Sequence, residues 1–296
     1  MARLVFAFMQ AYRGNERESL LLVRSLRSFG GELANHPLWL MMPRTLEQLS
    51  ETTHQALEEL GVQVHRFDIP EEALKFPFGG KIYAAAAAES LAVTQADILV
   101  WMDSDTLFAD VPYEMLLREN VSFGYRPVML KNISSLYDEP VNVFWDFIYE
   151  HCGTPKERIF PMLTTVDKVQ IRPHFNAGIM SVRPKKKLLQ TWRDNFERIY
   201  QQPELISCYQ EHVLYRIFVH QTILAATLLT LLHKDEMQDL GPHVNIPMFL
   251  ETEPNIARQV VTLRYDEFEF FETPDWEKKI VLNEFLKDWL SAQVGQ

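Results

Sequence analysis

An apolar stretch about a third of the way along the chain ends directly in two closely spaced aspartates. Ile98–Met102 contains no polar residue and runs straight into Asp103-Ser104-Asp105. A run of this length, rich in β-forming residues and closed by polar ones, is typical of a strand that is buried on both faces of a sheet. Ligands of open α/β folds bind beyond the carboxyl ends of such strands. The stretch therefore predicts an α/β fold with two carboxylates at the ligand-binding edge of its sheet.

The spacing of the two aspartates restricts how they can act together. Residues two apart on an extended strand point to the same side, roughly 6.6 Å apart along it. Two oxygens on one small divalent cation lie within about 4 Å of each other. Either the strand bends at Ser104, or one aspartate binds a cation directly while the other acts through water or a ligand hydroxyl. Both alternatives predict a cation site for a phosphorylated ligand, although a plain strand end with two solvated aspartates has the same sequence.

Strand and helix patterns alternate in the first third of the chain and are less regular afterwards. This β-α-β-α-β-α-β order predicts a largely parallel sheet with right-handed crossovers. The expected strands are residues 4–9, 38–42, 62–67, 98–102, 121–125, 178–182 and 259–264. The expected helices are residues 19–29, 45–60, 81–94, 144–151, 184–200, 212–232 and 276–290. No internal repeat or Gly/Ser-rich linker divides the chain, so we expect one domain over residues 1–296.

Charge and cysteine content argue against several classes of protein. The chain has 29 basic and 40 acidic residues and a net charge of −11, whereas a nucleic-acid-binding protein needs a basic face. Cys152 and Cys208 are far apart and form no CxxC motif, which argues against a disulfide framework or a zinc site. The apolar segment at the N-terminus is short for a signal peptide and for a membrane span. We therefore expect a cytoplasmic protein with no transmembrane segment and no nucleic-acid partner.

Several motifs in the same order resemble those of one enzyme family. Ala11-Tyr12 follows the first strand, Lys81 opens a helix, Asp103-Ser104-Asp105 ends a strand, and His174-Phe175-Asn176-Ala177-Gly178 comes later. This order resembles the GT-A nucleotide-sugar glycosyltransferases, and in particular the glycogenin and bacterial galactosyltransferase-like group, over roughly residues 4–250. The resemblance implies the GT-A fold, a mostly parallel central sheet flanked by helices. It also implies a nucleotide-binding half, residues 1–110, and a sugar and acceptor half, residues 111–296, with a C-terminal helix.

The resemblance implies a role for each matching position. Tyr12 would stack on the uracil ring, and Lys81 would neutralise the donor phosphates. Asp103 would face the ribose and the metal, while Asp105 would bind the metal directly, the cation being Mn²⁺ or Mg²⁺ on the UDP diphosphate. The residues that would line the sugar pocket are Asn176, Ala177, Gly178 and Gln221. Those that would act in catalysis are Asp103, Asp105 and Gln221.

The chain departs from the family pattern at two positions. His220, just before Gln221, stands where the family has an aspartate, and this leaves the donor sugar open. The family's late histidine ligand is also missing, because the corresponding segment reads Val260-Val-Thr-Leu-Arg-Tyr265. Two alternatives remain for the metal. His243 replaces the missing ligand, or Arg264 meets the diphosphate itself and the dependence on metal is weak.

These observations predict metal-assisted transfer of a sugar from a UDP-sugar to an unknown acceptor, and the resemblance implies retention of configuration. One alternative is a haloacid-dehalogenase-like phosphatase with Asp103 as nucleophile and Asp105 as acid and base. Against it, three strand–helix units precede the aspartates, and its late metal pair, Asp235 and Asp239, would follow a helical run. The second alternative is a catalytically degenerate sugar-nucleotide-binding protein. Two features argue for it: the substitution at His220 and the absence of the family's late histidine ligand.

Overall fold

The computed structural model describes residues 2–10, 16–45, 49–248, 259–278 and 282–295. Its strands, in chain order, are β1 (Leu4–Met9), β2 (Leu38–Pro43), β3 (Val62–Phe67), β4 (Ile98–Met102), β5 (Thr106–Phe108), β6 (Phe123–Pro127), β7 (Met162–Leu163), β8 (Gln170–Ile171), β9 (Phe175–Val182), β10 (Met237–Asp239), β11 (Ile246–Pro247) and β12 (Thr262–Arg264). Its α-helices are α1 (Glu16–Phe29), α2 (Glu51–Glu59), α3 (Glu71–Lys75), α4 (Gly79–Gln95), α5 (Val143–Cys152), α6 (Leu188–Ile199), α7 (Pro203–Glu211), α8 (Val213–Leu231) and α9 (Glu284–Val294).

The main sheet has seven strands in the order β10-β6-β9-β4-β1-β2-β3. Strands β1 to β4 pair parallel to one another, as the alternation of strands and helices predicts. Strand β9 lies between β4 and β6 and is antiparallel to both. The predicted α/β fold with a large, mostly parallel central sheet is therefore confirmed.

Hydrophobic clusters cover both faces of this sheet. Successive side chains of a strand point to opposite faces. In β1, Val5 and Ala7 pack in a cluster with α4, α6 and α8. Leu4, Phe6 and Phe8 pack in a second cluster with α1. Because all five side chains are buried, β1 is held from both sides, and the carboxyl ends of β1 and β4 are set at one edge of the sheet.

A smaller sheet joins the C-terminal part of the chain to the strand that follows the aspartates. Strand β12 pairs antiparallel with β5, with Arg264 opposite Thr106, and β11 pairs parallel with β12. A third hydrophobic cluster, which includes Leu107, Leu263 and Leu290, packs this sheet against α9. The pairing places the side chain of residue 264 next to the aspartate turn.

Several predicted boundaries were wrong for local reasons. Helix α1 begins at Glu16 rather than Ser19, because Ser19 lies buried inside the helix and its hydroxyl donates to Gln10. The helix expected over residues 184–200 is a 3₁₀ turn followed by α6, separated at Lys187, whose φ is 55°. The closing helix is also divided, into a 3₁₀ turn at Trp276–Lys278 and α9. The sequence pattern did not indicate α7.

Helix α8 is long and apolar enough to cross a membrane by length and composition alone, the one such helix in the described part of the chain. More than half of it is buried inside the protein. Its side chains pack in the hydrophobic cluster with α4 and α6, as those of a core helix do.

Candidate active site

The two aspartates lie in a turn at the carboxyl edge of the main sheet. Strand β4 ends at Met102, and the amide of Thr106 donates to the carbonyl of Asp103 at 3.2 Å. The chain therefore bends at Ser104, which is the first of the two alternatives that the spacing allows. The amide of Asp103 also donates to the carbonyl of Gly178 at 2.8 Å, which ties the turn to β9.

Lys81 is ion-paired with the first aspartate. It is the third residue of α4, and its Nζ lies 2.6 Å from Oδ2 of Asp103. The two side chains are only 11% and 14% exposed. A cation in the first turn of a helix opposes the helix dipole, so this position has an electrostatic cost that the Asp103 carboxylate offsets.

Arg264 is ion-paired with the second aspartate. Its Nε donates to Oδ2 of Asp105 at 2.8 Å, and its Nη2 lies 3.4 Å from Oδ1 of Asp266. Burial raises the pKa of Asp105, and the guanidinium charge of Arg264 opposes that rise. Although burial disfavours its charged form, the carboxylates of Asp105 and Asp103 raise the pKa of Arg264. The arginine is therefore charged at any pH at which the protein is folded.

The neighbouring strand β9 supplies two more of the predicted positions. Oδ1 of Asn176 accepts from the amide of Gly178 at 2.7 Å. A Cβ at residue 178 would lie 2.8 Å from Oδ1 of Asn176 and 2.9 Å from Oδ2 of Asp103. Glycine is needed here because these two side chains occupy the space beside it. Ala177 points to the other face of the strand and is fully buried in the hydrophobic cluster with α4 and α8.

A cavity of about 240 Å³ opens beside these residues. Asn176 from β9, Gln221 from α8 and Arg264 from β12 lie on its wall. Most of the other lining residues are apolar; they include Phe78, Val128, Met129, Ile217 and Phe218. A concave, mostly apolar site with a few convergent polar groups is the usual form of a small-molecule site.

Two buried histidines adjoin the cavity. Nδ1 of His174 is 2.7 Å from the hydroxyl of Ser134, and burial lowers the pKa of His174 to about 3. Its Nε2 has no hydrogen-bond partner among the described residues, and its ring lies on the cavity wall. Burial and the charge of Lys81 lower the pKa of His220, whose ring stacks on Phe78 with centroids 4.4 Å apart. Both imidazoles are therefore neutral near pH 7.

Sequence reasoning assigned no role to three residues of this site: Phe78, Glu18 and His174. Phe78 precedes α4 with φ 58°, is 40% exposed and lies under Nζ of Lys81 at 4.7 Å. The sequence feature that could have identified Phe78 is the Gly79-Gly80 pair that follows it. Glu18 accepts from the hydroxyl of Ser104 at 3.0 Å, and burial raises the pKa of Glu18 to about 7. No sequence pattern indicates that contact, because 86 residues separate the partners.

The structure brings together most, but not all, of the predicted site. Those that meet at the aspartate turn or on the cavity wall are Lys81, Asp103, Asp105, Asn176, Gly178 and Gln221. The side chain of Ala177 lies in the core instead. Tyr12 lies outside the described residues, and its role at the base stays a prediction.

The two carboxylates do not form a divalent-cation site as they stand. Oδ2 of each is bonded to a basic side chain, and Oδ1 of Asp105 is buried without a partner among the described residues. The described ranges contain no group of three or more His, Cys, Asp or Glu side chains that suits a metal. The carbonyl of His243 accepts from the amides of Val261 and Thr262. Its role as a metal ligand stays a prediction.

The chain has the GT-A fold with an acidic turn at the carboxyl edge of its sheet, and a family model gives the class of the protein: it is a glycosyltransferase. The chain belongs to the family described as "Rhodobacterales glycosyltransferase domain", whose model matches residues 6–226. The protein is therefore a transferase enzyme, and the phosphatase alternative is not favoured. Asp239, which that alternative needs near Asp103, is instead ion-paired with Arg126.

Solved structures of glycosyltransferases resemble this fold at low sequence identity. The galactosyltransferase LgtC, in complex with donor and acceptor sugar analogues, is 14% identical with a TM-score of 0.53, over 99% of this chain and 95% of that one. An active-site mutant of LgtC is 13% identical with a TM-score of 0.50, over 93% of each chain. Apo mouse xyloside xylosyltransferase 1 is 14% identical with a TM-score of 0.49, over 90% of this chain and 97% of that one. No curated protein sequence matches the chain.

Proposed function

We propose that the protein transfers a sugar from a UDP-sugar to an acceptor hydroxyl, with the donor bound between the aspartate turn and the 240 Å³ cavity. Asp103 holds the ribose, and Asn176 and Gln221 hold hydroxyls of the sugar. The predicted Mn²⁺ or Mg²⁺ is not part of this proposal, because basic side chains engage both Asp103 and Asp105.

The observation that carries the proposal is the meeting of residues from four separate elements at one edge of the sheet. Lys81 comes from α4, Asp103 and Asp105 from the turn after β4, and Arg264 from β12. Gln221, from α8, lies on the wall of the same cavity as Arg264. Such a set of charged and amide groups beside an apolar wall suits a ligand with a diphosphate at one end and a sugar at the other.

In the reaction, the bond between C1 of the sugar and the diphosphate oxygen breaks, and its electron pair stays on the departing UDP. A bond forms between C1 and the acceptor oxygen, and the proton of the acceptor hydroxyl passes to an oxygen of the departing diphosphate. Negative charge grows on the diphosphate, where preorganised cationic groups lower the barrier because they need no reorganisation. Lys81 and Arg264 suit this role, because each is a cationic side chain that an aspartate holds in place. The resemblance to the galactosyltransferase-like group supports retention of configuration, which NMR of the product anomer tests.

The remaining proposals rest on the sequence. The chain acts as one domain, in which residues 1–110 bind the nucleotide and residues 111–296 bind the sugar and the acceptor. We further propose a cytoplasmic location and no nucleic-acid partner, on the absence of CxxC spacing and the net charge of −11.

A panel of UDP-sugars tests the function. With water as the acceptor, we expect slow release of UDP from one or two members of the panel, measured by an enzyme-coupled UDP assay. Gln221→Ala should lower that rate at least about tenfold, because a buried amide that meets a sugar hydroxyl cannot be replaced by water. Gln55→Ala, on the exposed face of α2, is the matched control and should match the wild type.

Two results would contradict the proposal. The first is that the protein neither binds nor hydrolyses any UDP-sugar of the panel, which would exclude a UDP-sugar as the donor. The second is tight UDP-sugar binding without turnover in the presence of any tested sugar acceptor, which would instead support the degenerate binding protein.

A further inference from the structure

Two basic side chains flank the aspartate turn, and both are held in place by it. Lys81 approaches from the first turn of α4, and Arg264 approaches from the end of β12. Arg264 lies on the wall of the 240 Å³ cavity, and Lys81 contacts the Phe78 ring, which lies on the same wall. The side chains of Lys81 and Arg264 are 11% and 19% exposed, so both are largely desolvated, and Arg264 reaches the cavity wall.

One oxygen of each aspartate, the Oδ2 atom of Asp103 and of Asp105, is engaged by these basic side chains. Each carboxylate gives its Oδ2 to a basic side chain, at 2.6 Å for Lys81 and 2.8 Å for Arg264. Oδ1 of Asp105 is buried away from solvent, and the described chain offers no third side-chain ligand close enough to complete a metal group. The aspartates therefore act as counter-ions that orient Lys81 and Arg264.

The geometry of Arg264 leaves donors free for a phosphate. Its Nε serves Asp105 and its Nη2 is 3.4 Å from Asp266, while its Nη1 has no hydrogen bond to any described residue. The guanidinium fork suits a phosphate with two oxygens, and a lysine ammonium binds a phosphate as a point charge. The positive end of the α4 dipole, at Gly80, lies beside Lys81 and adds to the attraction for an anion.

We infer that Lys81 and Arg264 bind the donor diphosphate directly and take the place of a divalent cation, so that donor binding by this chain needs no metal. The inference rests on the proposed function, since it assumes a nucleoside diphosphate donor. In this arrangement Lys81 and Arg264 supply the positive charge that a diphosphate needs.

Calorimetric titration of the full chain with UDP tests the inference. The protein is stripped with EDTA, its metal content is measured by mass spectrometry, and UDP is titrated in excess EDTA and then in excess MnCl₂. We expect dissociation constants that agree within about threefold. Binding of UDP only in MnCl₂ would overturn the inference and leave the proposed function intact. Binding of UDP in neither buffer would remove the proposed function, and the inference with it.

The variant Arg264→His gives a sharper test, because an imidazole beside two aspartates completes a three-ligand metal group. In EDTA its dissociation constant for UDP should rise at least about 30-fold, since a buried charge-assisted contact is lost. Added MnCl₂ should recover most of that loss in the variant and change little in the wild type. Unchanged UDP binding by Arg264→His in EDTA would overturn the inference.

Two further variants guard against a folding defect. Arg3→His is the matched control, because Arg3 pairs with Asp97 beside the opposite ends of the strands and should not affect UDP binding. Arg264→Lys keeps the positive charge and should lose less affinity than Arg264→His. If circular dichroism shows that Arg264→His does not fold, Lys81→Met supplies the same measurement in EDTA, with an expected loss of about tenfold or more.

Discussion

At the scale of single residues, Gly178 decides how closely β9 approaches the aspartate turn. Its missing side chain leaves room for Oδ2 of Asp103 and Oδ1 of Asn176, which lie 2.9 and 2.8 Å from where a Cβ would stand. The resemblance placed Gly178 in the lining of the sugar pocket. In the structure the missing side chain leaves room for Asp103 and Asn176, and the Asp103 carboxylate cannot move away freely because Lys81 holds it.

The variant Gly178→Ala should therefore weaken UDP binding about tenfold or more, because Asp103 is pushed off Lys81 by a few tenths of an ångström. Calorimetry with UDP measures the effect. Gly153→Ala is the control: its Cβ meets nothing within 4 Å, but its φ of +68° is unfavourable for alanine. That variant should lose about 1 kcal/mol of stability and keep its affinity for UDP. Equal affinities in the two variants would contradict the role given to Gly178.

At the scale of elements, α4 and α6 are joined by a buried carboxylate. Oε2 of Glu89, on α4, accepts from the amide of Gln190 at 2.8 Å, in the first turn of α6. Burial raises the pKa of Glu89 to about 7, and the amides at the start of α6 oppose that rise. The group is therefore protonated more readily in the folded protein than in the unfolded chain, which has an ordinary glutamate pKa of 4.5.

A raised folded-state pKa stabilises the protein below pH 4.5, and this stability is lost as the pH rises through about 7. Near pH 4.5 the free energy of unfolding of Glu89→Gln should be close to that of the wild type. Near pH 8.5 it should exceed the wild-type value by about 3 kcal/mol. Urea denaturation at the two pH values measures the difference. Glu58→Gln, on the exposed face of α2, should show no such pH-dependent gain. A gain for Glu89→Gln that is the same at both pH values would contradict the assignment.

At the scale of the whole molecule, donor binding and folding are linked because the site is assembled from both ends of the chain. Lys81 and Asp103 come from the first half of the chain, and Arg264 comes from β12, which pairs with β5. Unfolding of either part removes the site, so a ligand that binds the site stabilises the complete fold.

UDP at about 100 times its dissociation constant should therefore add about 2.7 kcal/mol to the free energy of unfolding. For a chain of this length that gain raises the melting temperature by roughly 4 °C. Differential scanning calorimetry measures the shift, and uridine, which lacks the diphosphate, is the control and should give a much smaller one. A shift with uridine equal to that with UDP would contradict a site centred on the diphosphate.

The sequence by itself determined those parts of the fold that depend on local pattern. β1, β3 and β4 begin and end at the predicted residues because an unbroken apolar run between polar residues defines a buried strand. The order of strands and helices was enough to predict a parallel sheet, and the order of motifs was enough to predict the glycosyltransferase class. The bend at Ser104 was one of two alternatives that the spacing left open.

Only the tertiary structure decided which side chains meet. Arg264 contacts Asp105 across 159 residues, and this contact exists because β12 pairs with β5 in one register. The burial of Glu18, Glu89 and His174, which shifts their pKa values, likewise depends on helices and strands far away in the chain. Hydrophobic periodicity reports which face of an element is buried, but it carries no information about which distant element covers that face.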